Sequence, residues 1–167
     1  MPRFRFHVSG FRTKGFTLIE LLVSSAISII IAVVVVVNLY GWRDKSGYLD
    51  NTTKQIAALL REAQARSVSQ ASGMSWGVHF ESNTGAPPFY ALFGGPVYTT
   101  SSRTGYYRLP AQLVYVTSTF AGGTVKEVTF AQLTGLASAS TSLNLYIVGN
   151  PALSSTIQVA SSGAVSF

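Results

Sequence analysis

Apolar residues follow three different rules along this chain. Across residues 16–37 nearly every position is hydrophobic or small, and Glu20 is the only charge. At about 1.5 Å per residue, such a run spans roughly 33 Å as a helix, enough to cross a hydrocarbon core of about 30 Å. In residues 50–73 the period becomes that of a surface helix. Ile56, Leu59, Leu60 and Ala63 form an apolar stripe that Val68 extends loosely, while Lys54, Arg61, Glu62 and Arg66 fall largely off it. Between the two, the helix is expected to loosen around Gly41 and Gly47 and to restart with Asp50 or Asn51 as N-cap. Its end is expected near Ser72-Gly73, where glycine suits a C-terminal cap.

Beyond Gly73 the period is two. Trp76, Val78 and Phe80 alternate with Ser75, Gly77, His79 and Glu81, which predicts a half-buried strand with His79 on its exposed face. Further strands are predicted at 89–93, 113–116, 125–131, 143–148, 156–160 and 164–167, separated by Gly-, Pro- and Ser-rich turns. The fold class is α+β: a long N-terminal helix, membrane-spanning in its first half, packed on a C-terminal antiparallel β domain. The divisions are 1–15 as a leader, 16–37 as a membrane helix, 38–73 as the outer part of that helix and 74–167 as the β domain.

Three ordinary readings compete for the apolar run. A secretory signal peptide has a shorter core, of about 7–15 residues, followed by a small-residue cleavage site, whereas Tyr40-Gly41-Trp42 is bulky. A plain signal anchor has no need of Glu20. A soluble core helix is disfavoured because the run from Ser28 to Val37 is hydrophobic all round. An acid in the first turn of a helix is favoured by the macrodipole alone. An acid inside a membrane segment, however, ordinarily has a partner and a task.

Residues 14–22, Lys-Gly-Phe-Thr-Leu-Ile-Glu-Leu-Leu, resemble the processing site of type IV prepilins and type II secretion pseudoprepilins. The resemblance implies cleavage by a prepilin peptidase between Gly15 and Phe16 and N-methylation of Phe16. It also implies that Glu20 meets the terminal amine of a neighbouring pilin or pseudopilin subunit during assembly on an inner-membrane platform. Many major pilins carry a proline where this chain has Val37, so a minor or pseudopilin role fits better than that of the bulk subunit. The pattern of Phe130, Gly135, an apolar strand, Ile157, Val159 and Gly163 before Val165 is similar to the GspH/FimT minor pseudopilin group. Ala63, Ala65, Ser67, Val68, Gly73 and Trp76 fit that group as well.

The net charge of +6 is mostly the leader's. Arg3, Arg5, Arg12 and Lys14 supply four of the basic side chains, so the high pI is not by itself a nucleic-acid footprint. Those four outweigh Arg43 and Lys45 beyond the helix. The expected topology is therefore a single pass through a bacterial cytoplasmic membrane with the N-terminus inside and the β domain outside. Tyr40 and Trp42 fall where an interfacial aromatic belt in contact with lipid would sit. There is no cysteine, and of two histidines His7 lies in the leader, so no cofactor and no multi-histidine metal site is expected.

Two other chemistries have some support. Gly73-Met74-Ser75-Trp76-Gly77 matches the G-x-S-x-G string with His79 close behind, but a nucleophile elbow needs a strand before the serine and a helix after it. The predicted order is the reverse, and the acids Asp44 and Asp50 precede the string on the helix, so an enzyme is not expected. Arg103, Arg108 and Lys126 lie near Tyr106, Tyr107 and Tyr115 in sequence. Such interleaving binds single-stranded nucleic acid through phosphate contact and stacking, which makes the DNA-holding domain of a competence pilus the alternative function.

Overall fold

The computed structural model describes residues 15–83, 85–120 and 123–167, with side chains at 38–45 undescribed. The basic leader and the side chains of Tyr40, Trp42, Arg43, Asp44 and Lys45, on which the topology argument rests, lie outside the described residues. The chain divides into two units, Met1–Gly41 and Trp42–Phe167. Helix α1 covers Leu18–Val68. Its stretch Leu18–Val37 is long and apolar enough to cross a membrane, and none of it is buried.

The expected break and restart of α1 do not occur. Gly41 and Gly47 are both helical, and Asp50 sits inside the helix, where its carboxylate takes the Lys54 ammonium at 2.6 Å. A lone glycine costs a helix only about 1 kcal/mol, and the residues after it bury a face that outweighs this. Ile56, Leu59, Leu60 and Ala63 are buried as the stripe requires, but Val68 is exposed and Ser67 takes the inward position. Thr52 and Thr53 are inward too, and the Thr53 hydroxyl donates to the Leu49 carbonyl at 2.8 Å. A hydroxyl satisfied by its own helix can enter a core without stranding a polar group. The helix also ends earlier than glycine placement implies. Gln70 adopts a left-handed conformation, and Ala71–Gly73 forms a separate 3-10 turn.

Eight strands follow: β1 Trp76–Glu81, β2 Phe89–Gly94, β3 Arg103–Arg108, β4 Leu113–Tyr115, β5 Val125–Phe130, β6 Thr141–Ile147, β7 Asn150–Val159 and β8 Val165–Ser166. They form not one sheet but two antiparallel ones, ordered β3-β2-β1-β5 and β4-β6-β7-β8. Within the second unit, one side of each sheet and the later turns of α1 share a single core. Phe80, Phe130, Ile56, Leu60, Leu145 and Ile157 are among its largest fully buried members. Each such side chain contributes about 1.5–3 kcal/mol.

The sheets are also tied by polar contacts. Lys126 of β5 donates to the carbonyls of Ser142 on β6 (2.7 Å) and Thr119 (3.1 Å). Burial lowers its pKa below the ordinary lysine value. The end of α1 is held by a second set. Gln64 Nε2 donates to the Gly135 carbonyl at 3.1 Å, and the Trp76 N–H donates to Ser67 Oγ at 2.8 Å. Gly135 (φ 65°) and Gly163 (φ 86°) both lie in the left-handed region. A β-carbon on Gly135 would stand 2.7 Å from Val68 Cγ2, and one on Gly163 would collide with Gln64 and the Gly135 carbonyl.

Gly135→Ala is expected to destabilise the chain by roughly 2–4 kcal/mol, through both backbone strain and overpacking. Gly149→Ala, with φ 80° but open space around the position, should cost only the strain, about 1–2 kcal/mol. Denaturant unfolding of both variants in detergent checks the difference. A second expectation concerns pH. Burial, and then Tyr90, push the Tyr115 phenol well above its ordinary range. The unfolded tyrosine ionises near about pH 10, so stability from this group is complete below that pH and is lost as pH rises above it. Tyr115→Phe should therefore lose less stability than the parent between about pH 10 and 11, measured as the shift of denaturation midpoint with pH. Lys126 acts with the opposite sign in that range but is common to both proteins.

Candidate functional site

The apolar helix begins with a built cap. Thr17 precedes it, and the Glu20 N–H donates to the Thr17 carbonyl at 3.1 Å and hydroxyl at 3.3 Å. Thr17-Leu18-Ile19-Glu20 has the spacing of a capping box, a signal present in the sequence but missed by the reading above. It gives the acid a local reason to occupy the first turn, since negative charge near a helix N-terminus is favourable. Ile19, Glu20, Val23, Ser24, Ile27 and Ser28 line an open groove along one face of this segment. Ser24 donates to the Glu20 carbonyl and Ser28 to the Ser24 carbonyl (2.8 Å), so both hydroxyls are taken up by their own helix. The Glu20 carboxylate is then the one charge in the groove, and among the described residues it has no ion pair. Gly15 and Phe16 stand just before the helix, both exposed, Phe16 at 80%.

The basic residues named from the sequence are only partly brought together. Arg103 and Arg108 bracket β3, an edge strand that the sequence reading did not identify because Arg-Thr-Gly-Tyr-Tyr-Arg shows no apolar alternation. Lys126 is on β5 at the opposite edge of the same sheet, about 14 Å away across three strand spacings. Its ammonium is held by the two carbonyls described above and faces the core side. Of the three tyrosines, Tyr106 alone stacks with an arginine, lying 4.6 Å from the Arg103 guanidinium; Tyr115 is buried.

His79 is not on an open face. It is 4% exposed, because the β2–β3 loop folds back over the outer side of the first sheet and stacks Tyr98 on the imidazole at 3.8 Å. Tyr98 also meets Phe93 edge-on at 5.6 Å. The covering loop is closed by Gly95 N–H to the Ser75 carbonyl (2.7 Å) and by reciprocal Thr99–Ser102 hydrogen bonds. Two carboxylates stand beside the ring: Glu127 at 2.9 Å from Nδ1 and Glu81 at 3.1 Å from Nε2. A doubly protonated ring donates to both; a neutral one has a single N–H to offer. Register made this legible only in part, since Glu127 pairs with His79 across β1 and β5.

No catalytic set results. Ser75 lies just before β1 with no helix after it, and about 13 Å of extended strand separates it from His79. Opposite carboxylates on the two ring nitrogens also cannot converge on one ion, and no group of three His, Cys, Asp or Glu that could hold a metal occurs among the described residues.

Residues 10–36 match the family model of the prokaryotic N-terminal methylation motif. No curated protein matches the chain. Among solved structures, the type IV minor pilin FimU of Pseudomonas aeruginosa (strain PAO1) is similar, with a TM-score of 0.48 and 15% identity over 71% of this chain and 90% of that one. The matched motif spans the Gly15-Phe16 junction and the capped apolar helix with Glu20, and that helix leads into an antiparallel β domain. The chain thus carries the prokaryotic N-terminal methylation motif at the head of an α+β architecture.

Proposed function

We propose that the chain is a minor pseudopilin of the GspH/FimT kind, serving a type II secretion pseudopilus or a type IV pilus. In this reading residues 1–15 are removed between Gly15 and Phe16, and Phe16 is N-methylated. Residues 16–37 hold the subunit in the cytoplasmic membrane and later pack against other subunits in the fibre. Residues 38–73 continue the helix outward, and 74–167 are the exported domain. The observation that carries the reading is the single carboxylate, Glu20, in the first turn of an otherwise uncharged exposed helix directly behind a Gly-Phe junction.

The physics of assembly follows from that carboxylate. Carrying it unpaired within lipid is costly, and a neighbour's Phe16 amine removes the cost only when the two helices sit in one register. Little water screens the pair, so its strength falls off sharply when the fit is wrong. The uninterrupted helix through Val37 supports a role other than that of a bulk subunit whose helix loosens at a proline. Gly135, Gly163 and Trp76, the residues behind the GspH/FimT resemblance, all act at the junction of α1 with the sheets, which supports that subgroup. The alternative, a DNA-holding domain of an uptake pilus, keeps Arg103 and Arg108 but not Lys126, whose ammonium is occupied.

In a host that has the peptidase, mass spectrometry of the mature protein is expected to show N-methylated Phe16 as the first residue. Met1 retained, or a new terminus elsewhere, overturns the reading. Glu20→Ala is expected to insert into the membrane as the parent does, while its incorporation into fibres alongside wild type falls tenfold or more, consistent with the roughly 3–5 kcal/mol cost of breaking a buried pair. Quantification of membrane and sheared-fibre fractions measures this, and equal incorporation counts against the pairing role.

A further inference from the structure

β3 is the outer strand of its sheet, and among the described residues only β2 pairs with it. Every residue from Arg103 to Arg108 except Gly105 is exposed. A row of backbone N–H and C=O groups therefore faces away from β2 without a strand to meet it. The register with β2 places Arg108 opposite Phe89 and Tyr106 opposite Ala91, and then slips, so that Arg103 and not Thr104 lies opposite Phe93. A strand without that irregularity puts residues five apart on opposite faces. The slip instead returns Arg103 to the face of Tyr106 and Arg108. The ring contact of Tyr106 with Phe89 (4.9 Å) and the placement of Arg103 over Tyr106 confirm that shared face. The two guanidinium groups thus sit at the two ends of one exposed face with a tyrosine between them. Neither has an acidic partner among the described residues, in a chain where Asp50, Glu62, Glu81 and Glu127 all have basic or imidazole partners.

We infer that the free edge of β3 is a strand-addition site for an extended segment of another protein that carries two acidic side chains four residues apart. The spacing follows from the register: Arg103 and Arg108 lie opposite positions four apart on β2, about 13 Å along the strand. An added strand presents alternate side chains to that same face, so acids at such a spacing reach both arginines, and the side chain midway between them rests on Tyr106. Main-chain pairing supplies the common part of the affinity and the side chains supply the selection. A second copy of this chain does not fit, since no two of its six acidic residues are four apart. A nucleic acid makes no use of the alternating donors and acceptors of the edge, and the third basic residue it would draw on, Lys126, is turned to the core side. Arginines on an edge strand also serve merely to keep other strands away; the test separates that role from recruitment. The inference does not rest on the filament reading.

The test uses the full-length protein in detergent and three fluorescent probes: a nine-residue Thr/Val peptide with glutamates four apart, the same peptide with glutamines, and an oligothymidylate of similar charge. Binding of the glutamate peptide, weakened roughly tenfold in the glutamine version, is expected from two exposed ion pairs. N-methylation of the amides on one edge of the peptide should abolish binding. The double substitution Arg103→Glu with Arg108→Glu should lose the glutamate peptide and acquire a lysine version of it, a reversal that a misfolded protein cannot show. Equal affinity for glutamate and glutamine peptides, indifference to N-methylation, no peptide binding up to about 1 mM, or tighter binding of the oligothymidylate through the same arginines would each overturn the inference.

Discussion

Gln64 lies one turn before the end of α1, and two turns of chain far from each other in sequence, around Gly135 and Gly163, close upon it. The amide donates to the Gly135 carbonyl, and neither glycine leaves room for a β-carbon. One turn further on, Ser67 accepts the first N–H of β1, Trp76 returns its indole N–H to the Ala71 carbonyl at 2.9 Å, and Arg66 lies over its ring. Both sheets are thereby referred to a few helical residues. β1 leaves from this junction, and the segments leading to β6 and β8 pass across it. Buried area alone does not fix such an arrangement, because apolar contacts are nondirectional; these short polar contacts and two left-handed turns supply the direction.

This dependence explains what the sequence revealed and what it hid. The apolar segment, the stripe from Ile56 to Ala63 and the alternation of β1 were legible because each is a local periodicity. β3 was not. Its six residues include no aliphatic side chain, and it is a strand because β2 pairs with it and not because it buries a face. His79 was placed outside for a similar reason. Period two assigned it correctly to the face opposite Val78 and Phe80, but the covering residue, Tyr98, arrives from a loop whose course local pattern does not encode. The division into two sheets was likewise hidden, since it depends on β5 ending beside β1 while β6 turns to pair with β4 and β7. At the helix N-terminus the signal was present in full: Thr17 and Glu20 at capping-box spacing, directly behind Gly15-Phe16.

The scarcity of acids gives these placements a common logic. Six acidic side chains serve the whole chain. Asp50 and Glu62 brace the surface of α1 through pairs with Lys54 and Arg66, the kind of exposed i,i+4 contact that contributes only a few tenths of a kcal/mol. Glu81 and Glu127 are both directed at His79, so the two carboxylates of the first sheet are concentrated on one ring beneath a loop. Glu20 is placed alone on an apolar helix. Arg61, lacking an acid, donates to the Val165 carbonyl and covers Phe167, which fastens the C-terminal residues to the helix.

What is left after this allocation is an edge strand, β3, whose exposed charges are of one sign. In a domain rich in serine, threonine and glycine, the positive side chains on this edge strand make no ion pair among the described residues, and lysine in the same sheet has been withdrawn to bridge β5 to β6. A domain with no acidic partner for the arginines of such an edge repels copies of itself there while remaining complementary to a chain of different composition. In the proposed reading Glu20 works in the same sense: an unpaired charge on an otherwise neutral helix surface, inexpensive in water and costly in lipid until something of opposite sign arrives. On both proposals the protein sets its associations less by the apolar area it offers than by the charges it leaves unanswered.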